Sequence, residues 1–496
     1  MNRQISKLAV AALVLVAALI VATTYWQTWA SASLAAKQDN AIQRVAQFKI
    51  KRGRILASDG TVLATNVRRK VGGQTLYFRT YPQHGLFAHL VGYSTQVRSR
   101  AGLEQDQNAY LTASNSNLGT IVNKTIDKLK GVTIKGNDLI LTVRPGLQRI
   151  AMGQLAGKCG AAVVLNPKTG KVYALASRPT YDPNLVEKHF SRIRATGAAC
   201  QPAAPLLNRA TAGLFTPGST FKVVTAAAAL DSNRFTPDST FDDPGYCTEY
   251  GQRVSNAASP DGPVEAFGRV TFAQGLQHSI NSVFCNIGKT LGAGLILDYS
   301  KKFGFYKDPP LEIPNDEKSP SGLYNHGKLF FPKHPETQVD PGRMAFGQER
   351  LSVTPLQMAM VASAVANGGE LMQPSVLKKV VDSNGHTVAT IKPKKLDRVM
   401  TPKTASEIRD MMVSAVQSGT GTSAQISGVE VAGKTGTAET GRQGVNTTWF
   451  IAFAPANDPK VAVAVALENQ HGFGGTTAAP IAKVLMEAAL QGGSKH

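Results

Sequence analysis

The sequence has few cysteines, few acidic residues and only one long apolar run, and each scarcity excludes a class of protein. Four cysteines in 496 residues are too few for a small scaffold stapled by disulfides. No cluster of Cys and His has the spacing of zinc ligands, so we expect neither a metal nor a cofactor. Acidic residues number 33 against 54 basic ones, yet no basic and aromatic segment resembles an RNA-binding module. Nucleic acid is therefore not an expected partner.

The composition that is present indicates a large folded protein. Hydrophobic residues make up 43% of the chain and charged residues 18%, which suits two to four domains with a sizeable core. Residues 1–150 hold 20 basic and 6 acidic residues, so +14 of the net charge of +21 lies there. Anionic lipid headgroups or acidic wall polymers are suitable counterparts. Well-solvated lysines explain the same charge equally well.

The single apolar run covers residues 8–26 and contains no charge. As a helix it is long enough to cross a hydrocarbon core of about 30 Å, and it exceeds the apolar core of most cleaved signal peptides. Cleavage after Ala30-Ser31-Ala32 is the alternative. Arg3 and Lys7 precede the run, so the positive-inside rule places residues 1–7 in the cytoplasm. The sequence predicts a single-pass cell-membrane protein with its bulk extracytoplasmic.

Two folded domains are predicted after this anchor. Residues 31–47 are small and polar and suit a stalk. Residues 38–150 contain short β-branched and aromatic runs between turn signals, which is typical of a small β-rich domain beside the membrane. Within it we predict a polar loop at 112–119, a strand at 138–143 and a helix at 145–156.

The remaining segment, 155–492, has strand patterns at both ends and helices between them, which predicts one α/β (α+β) domain. Its expected elements are a hairpin (161–165 and 171–176), Ala-rich helices (217–230 and 354–366), two late strands (448–453 and 461–467) and a terminal helix (478–490).

A Ser-x-x-Lys pair lies at the start of the first Ala-rich helix, as Ser219 and Lys222. Thr216 is predicted to cap that helix with Pro217 in its first position, which places Ser219 in the first turn. Residues three apart share a helix face, so Lys222 is expected to point at Ser219. An apolar setting favours a neutral lysine, which can take the proton of a serine hydroxyl. The same spacing recurs at Ser375 and Lys378, but on a predicted strand, where the two side chains face opposite sides.

Two further motifs complete a chemical set. Ser279-Ile280-Asn281 offers a hydroxyl for proton transfer and an amide that can hold a substrate amide. Lys434-Thr435-Gly436-Thr437 lies in a predicted strand, where Lys434 supplies positive charge and Gly436 is expected to admit a ligand backbone. An extended peptide could add to that strand. The copy at 168–170 falls in a predicted turn and carries no such expectation.

In this order the three motifs resemble those of the penicillin-binding proteins and serine β-lactamases. Other segments are also similar to that family's transpeptidase domain, among them Phe215-Thr-Pro-Gly-Ser219, Gly347-Gln348 and Trp449-Phe450. Upstream, Arg52-Gly-Arg-Ile55, Arg79-Thr-Tyr-Pro82 and Gly102-Leu-Glu104 are similar to the N-terminal module of the monofunctional class B members. The arrangement most resembles the actinobacterial penicillin-binding protein A type. The resemblance implies a transpeptidase domain with an antiparallel sheet flanked by helices.

The resemblance also implies a peptidoglycan D,D-transpeptidase whose Ser219 is acylated by the D-Ala-D-Ala end of a wall stem peptide or by a β-lactam. Lys222 would be the base for acylation, and Ser279 and Lys434 would relay a proton to the leaving amine. Asn281 would hold the substrate amide. The substrate carboxylate would be bound by Lys434 with the strand residues Thr435, Gly436 and Thr437, and the backbone N–H groups of Ser219 and Thr437 would form the oxyanion hole.

Several alternatives and partners follow from the same resemblance. A D,D-carboxypeptidase, in which water replaces the acceptor amine, shares all three motifs, and a non-catalytic β-lactam receptor is a third possibility. Ile280 stands where class A β-lactamases have Asp, which favours a slowly hydrolysed acyl-enzyme. No glycosyltransferase module is found, so a membrane-embedded glycan polymerase of the shape, elongation, division and sporulation group is the expected partner.

The four cysteines leave their pairing open. All of them fall in the domain expected outside the cytoplasm, where disulfides are allowed. Three pairings are possible, and free buried thiols explain the residues equally well. They are Cys159, Cys200, Cys247 and Cys285.

Overall fold

The structure, a computed structural model, describes residues 2–25, 48–114, 135–256 and 264–492. The stalk predicted at 31–47 and most of the loop predicted at 112–119 lie outside these residues. The α-helices are α1 (Asn2–Tyr25), α2 (Ala88–Val91), α3 (Gly102–Asp106), α4 (Asn108–Leu111), α5 (Pro145–Gln154), α6 (Phe190–Arg194), α7 (Lys222–Asp231), α8 (Phe272–Gln277), α9 (Asn281–Leu291), α10 (Ala293–Lys302), α11 (Pro335–Gln338), α12 (Pro341–Ala345), α13 (Pro355–Ala366), α14 (Pro402–Ser418) and α15 (Gly474–Gln491).

The strands fall into two larger sheets and several short pairs. They are β1 (Ile55–Leu56), β2 (Val62–Val71), β3 (Gln74–Thr80), β4 (Asp138–Leu141), β5 (Cys159–Leu165), β6 (Val172–Arg178), β7 (Thr240–Asp243), β8 (Tyr246–Glu249), β9 (Gln252–Ser255), β10 (Gly268–Thr271), β11 (Gly322–Asn325), β12 (Lys328–Leu329), β13 (Leu351–Ser352), β14 (Glu370–Met372), β15 (Leu377–Val381), β16 (Thr387–Thr390), β17 (Lys395–Arg398), β18 (Ala432–Glu439), β19 (Asn446–Ala454) and β20 (Val461–Gln470).

The first helix confirms the predicted apolar segment as a helix. Within α1, residues 6–25 have a mean hydropathy of 2.5, and none of them is buried against the rest of the protein. Twenty helical residues span about 30 Å, the thickness of a bilayer core. Its length and composition are those of a membrane anchor.

A six-stranded sheet forms the core of the N-terminal region, in the order β16-β15-β4-β1-β2-β3. Two of its strands, β15 and β16, come from more than 200 residues further along the chain. β15 pairs antiparallel with β4, with Leu377 opposite Leu141 and Val380 opposite Leu139. All four side chains are buried. This sheet therefore joins chain segments from both halves of the protein.

The second sheet is antiparallel and five-stranded, in the order β18-β19-β20-β5-β6. Successive side chains of β5 face opposite layers. Ala162 and Val164 pack in a cluster with α5 and α15, whereas Ala161 and Val163 pack in a cluster with α7 and α13. Because both faces are covered, the strands are almost continuously apolar. This arrangement confirms the predicted α/β (α+β) class with an antiparallel sheet between helices.

All four cysteines are paired, which answers the question that the sequence left open. Cys159 is bonded to Cys200, and Cys247 is bonded to Cys285. The second disulfide ties the β8–β9 hairpin to α9, the helix that begins at Asn281.

Candidate active site

Ser219 lies in a short 3-10 turn, Gly218–Phe221, directly before α7. The predicted start of the helix is wrong: Pro217, not Thr216, is the residue before the turn, and no side chain caps it. The reason is Gly218, whose φ of +51° turns the chain sharply and whose N–H donates to the Gly347 carbonyl at 3.1 Å. Ser219 remains partly exposed. No group in the described residues hydrogen-bonds its hydroxyl.

Lys222 is fully buried behind this turn. Its Nζ donates to the Ser279 carbonyl at 2.7 Å and to Asn281 Oδ1 at 2.8 Å, and the Ser279 hydroxyl lies 3.4 Å away. Burial, and then the charge of Lys434, lower the pKa of Lys222 well below its usual 10.5. A neutral amine has two N–H donors and one lone pair. The two short bonds use both donors, which leaves the lone pair for a hydroxyl proton.

Ser279 occupies the turn between α8 and α9 with a φ of +61°, a conformation that residues other than glycine rarely adopt. The turn is closed by the Ile280 N–H, which donates to the Gly275 carbonyl at 2.9 Å. The Ser279 hydroxyl accepts a hydrogen bond from Lys434 Nζ at 2.8 Å. This hydroxyl therefore lies between the two lysines.

Lys434 lies on β18, as predicted, and is fully buried. Besides Ser279, its Nζ donates to the Thr435 carbonyl at 3.1 Å. Burial lowers the pKa of Lys434 to about 7. β18 is an edge strand of the five-stranded sheet, so its outer backbone groups can pair with an extended peptide.

Gly436 packs against the turn that carries Ser219. A Cβ at this position would lie 2.8 Å from the Pro217 carbonyl oxygen and 2.9 Å from Thr220 Cγ2. The glycine thus admits the backbone of the Ser219 turn, and the approach of a ligand backbone stays a prediction. Close packing between the edge strand and the 3-10 turn requires a residue without a side chain.

The three motifs meet in one cleft of about 420 Å³. Ser219, Ser279, Asn281, Thr435 and Thr437 all line it, and both lysines lie directly behind. Sequence reasoning missed other polar lining residues, because single polar residues in loops carry no motif. Two of them are Asn256 and Thr420.

The repeated motifs lie outside the cleft, as predicted. Ser375 donates its hydroxyl hydrogen to the Glu312 carboxylate, and Lys378 is exposed on β15. Lys168 lies in a turn and pairs with Asp458 at 2.7 Å. Strand and turn geometry keep these copies away from the cleft that Ser219 lines.

Family models cover most of the chain. Residues 160–487 match the penicillin binding protein transpeptidase domain, and residues 52–139 match the penicillin binding protein A dimerisation domain. The peptidoglycan D,D-transpeptidase PbpA of Mycolicibacterium smegmatis is 32% identical over 514 residues, an alignment that covers both chains in full.

Solved structures agree with this likeness. Penicillin-binding protein A from Mycobacterium tuberculosis, as a ceftriaxone acyl-enzyme complex, is 30% identical with a TM-score of 0.78. That match covers 90% of this chain and all of the other. The D,D-transpeptidase domain of a peptidoglycan glycosyltransferase from Eggerthella lenta is 32% identical with a TM-score of 0.76, covering 90% of this chain and 99% of the other.

Proposed function

Because the chain belongs to the penicillin-binding protein transpeptidase family and is a peptidoglycan D,D-transpeptidase, we propose that Ser219 is the residue acylated by the substrate and by β-lactams. One observation carries this assignment. The free Ser219 hydroxyl lies in the same cleft as Ser279. Hydrogen bonds connect Ser279 to Lys222 on one side and to Lys434 on the other. Such a chain can remove a proton on one side of a reacting carbonyl and supply one on the other.

Acylation begins when the Ser219 oxygen attacks the carbonyl carbon of the penultimate D-alanine. The hydroxyl proton passes to neutral Lys222, and the C–O bond forms as the peptide C–N bond breaks. The leaving amine of the terminal D-alanine receives a proton through the Ser279 hydroxyl, which Lys434 replenishes. The proton held by Lys222 then passes through Ser279 to Lys434, which restores the starting state of both lysines. A neutral acceptor amine attacks the ester carbonyl and gives a proton to Lys222, the C–O bond to Ser219 breaks, and Lys222 returns that proton to the Ser219 oxygen.

The substrate is held, in this proposal, by the remaining motif residues. Asn281 Nδ2 donates one hydrogen to the Ser255 carbonyl at 3.0 Å and keeps a second for a substrate carbonyl. Thr435, Gly436 and Thr437 lie along the edge strand, where the peptide would pair and its carboxylate would meet Lys434. The N–H groups of Ser219 and Thr437 would stabilise the oxyanion, an effect often worth a few kcal/mol.

We also propose an extracytoplasmic location for everything after the anchor at 8–26, with 1–7 in the cytoplasm. Two disulfides support it, because such bonds persist outside the reducing cytoplasm. We assign 38–150 to a membrane-proximal domain and 155–492 to the transpeptidase domain.

A separate membrane-embedded polymerase is the partner we propose, since cross-linking needs glycan strands that another enzyme makes. The polymerase would belong to the shape, elongation, division and sporulation group.

The transpeptidase activity is tested with the purified full chain in lipid nanodiscs. A donor stem peptide ending in D-Ala-D-Ala is supplied with increasing acceptor amine, and released D-alanine and cross-linked product are counted. We expect cross-linked product to rise with acceptor concentration and to vanish in Ser219→Ala. D-alanine release without cross-links at every acceptor concentration would instead indicate the carboxypeptidase, and D-alanine release by Ser219→Ala at the wild-type rate would refute the assignment.

A further inference from the structure

A buried carboxylate that belongs to none of the three motifs lies directly behind the turn that carries Ser279 and Asn281. Asp243, at the end of β7, is only 2% exposed. Its oxygens accept hydrogen bonds from the Gly245 N–H, Asn256 Nδ2 and the Phe267 N–H, each at 2.9 Å, and from the Ser282 hydroxyl at 2.5 Å. Four donors converging on one buried carboxylate fix the position of every segment that contributes one.

One of those donors belongs to the residue that follows Asn281. Ser282 is fully buried in the first turn of α9. The residue before that helix, Ile280, offers no side-chain cap, so the early N–H groups of α9 need other acceptors. Asn256 Oδ1 accepts from the Ser282 N–H at 3.0 Å, and Asn256 is itself held by Asp243. The pair thus caps α9 from outside the helix.

The same carboxylate also anchors a wall of the cleft. The Phe267 N–H donates to Asp243, and Asn256 Nδ2 donates to the Glu265 carbonyl at 3.1 Å. The Phe267 ring contacts the His278 ring with 5.2 Å between centroids. Glu265, Phe267 and His278 all line the cleft. The Asp243 carboxylate therefore holds both the Ser279–Asn281 turn and this wall of the cleft in place.

We propose that Asp243 is a positioning residue for acylation: it fixes the Ser279–Asn281 turn and, through that turn, the acceptors around Lys222 Nζ. Lys222 has its two short hydrogen bonds to the Ser279 carbonyl and Asn281 Oδ1. A shift of the turn moves both and misaligns the base with Ser219. The inference rests on the proposed role of Ser219 and adds a residue that touches neither substrate nor nucleophile.

The variant Asp243→Asn tests it because all four partners of the carboxylate are donors. An amide places its NH₂ against at least one of them and leaves a buried donor without an acceptor. Asp231→Asn is the matched control. Asp231 accepts from the Tyr299 hydroxyl at 2.7 Å and the Thr401 N–H at 2.8 Å, at the far end of α7 from Lys222.

The experiment uses the full chain in nanodiscs and a fluorescent penicillin, with the non-covalent dissociation constant and the acylation rate constant measured separately. We expect Asp243→Asn to lower the acylation constant on the order of 10–100-fold, the cost of a small misplacement, while the dissociation constant changes far less. Asp231→Asn, at comparable loss of thermal stability, should acylate at the wild-type rate.

A second pair keeps the test decisive if Asp243→Asn does not fold. Ser282→Ala removes one of the four donors, and Ser300→Ala removes an equally buried helix hydroxyl, bonded within its own helix at 2.8 Å. Slower acylation in Ser282→Ala alone supports the inference. Wild-type acylation in both Ser282→Ala and any folded Asp243→Asn overturns it. Failure of the wild-type chain to label would instead count against the proposed function.

Discussion

Ser279 has a buried lysine on each side of its hydroxyl, at 3.4 Å for Lys222 and 2.8 Å for Lys434. Two ammonium groups this close, both removed from water, repel each other, so the pair loses a proton more readily than two exposed lysines would. The residue between them can pass a proton from one to the other. Acylation takes a proton from the attacking serine and gives one to the leaving amine, and two lysines joined by a hydroxyl can do both.

The pH dependence of acylation should report this coupling. Neutral Lys222 is the active form, so the acylation rate falls as pH falls through its lowered pKa. Part of that lowering comes from the charge of Lys434, after burial. Lys434→Gln removes the charge and should raise the Lys222 pKa. We therefore expect the acid limb to move to higher pH, most visibly below pH 7, where Lys434 with a pKa of about 7 is protonated.

The measurement is the second-order acylation constant between pH 5 and 9 for both chains. The variant should also be slower throughout, because Ser279 loses its proton donor. An acid limb that stays in place or moves to lower pH would contradict the coupling.

Backbone strain at Ser279 gives a second residue-level prediction. Both Ser279→Ala and Ser279→Gly lose the hydroxyl and should acylate slowly. The two should differ in stability, because a φ of +61° is unfavourable for alanine and not for glycine. We expect Ser279→Gly to have the higher free energy of unfolding by about 1 kcal/mol. Equal unfolding free energies would show that the turn relaxes in the variants.

At this scale the three motifs could be predicted, and their surroundings could not. Helix spacing and the chemistry of a serine beside a lysine point to Ser219 and Lys222, and the order of the three motifs adds Ser279. Asp243 ends β7 and Asn256 directly follows β9, neither belongs to a motif, and only the folded chain brings them behind α9. Thr216 was a reasonable cap by sequence, but tertiary packing around Gly218 decided the start of the turn.

Among the elements, the β8–β9 hairpin is the one that connects the site to the disulfides. Cys285 lies one helical turn after Asn281, and Cys247 lies on the hairpin whose Ser255 carbonyl accepts from Asn281. The other disulfide joins the start of β5 to the segment around Cys200. The two bridges are similar in span, 41 and 38 residues, but only the second includes a residue of the helix that begins at Asn281.

Replacing each pair of cysteines by serine separates stability from function. Both double variants should lose about 2–4 kcal/mol of unfolding free energy, the usual contribution of such a loop closure. Only Cys247→Ser with Cys285→Ser should also slow acylation of the folded chain. Denaturation and penicillin labelling measure the two effects. Equal acylation in both double variants would argue that the hairpin does not position Asn281.

Element types were largely predictable, because β5, β6, β19 and β20 are continuous apolar runs and α15 is amphipathic. The edge position of β18 was not. The edge position of β18 follows from the strand order β18-β19-β20-β5-β6, in which β5 pairs with β20. No local sequence pattern encodes that order.

At the scale of the whole molecule, the six-stranded sheet combines strands from both halves of the chain. β4 lies between β1 and β15, and its Leu139 and Leu141 are fully buried. The strands β15 and β16 lie inside the segment 160–487 that matches the transpeptidase domain, not inside the segment 52–139. The family matches therefore give no sign that these two strands belong to the N-terminal sheet. Long-range pairing of this kind is the part of the fold that composition and periodicity do not contain.

A fragment of residues 48–156 should therefore not fold by itself. Without β15, the buried leucines of β4 lie on an open edge strand. We expect no cooperative thermal transition by circular dichroism, whereas the full chain should show one. A cooperative transition in the fragment close to that of the full chain would show that the N-terminal region is autonomous.

The central claim, that Ser219 is the acylated residue, is tested most directly by labelling the full chain with a fluorescent penicillin and locating the adduct by peptide mass spectrometry. Ser219→Ala and Ser375→Ala are compared, since Ser375 heads the second Ser-x-x-Lys copy. We predict an adduct on Ser219 that persists for many minutes, survives Ser375→Ala and disappears in Ser219→Ala. An adduct on another residue, or label retained in Ser219→Ala, would contradict the account.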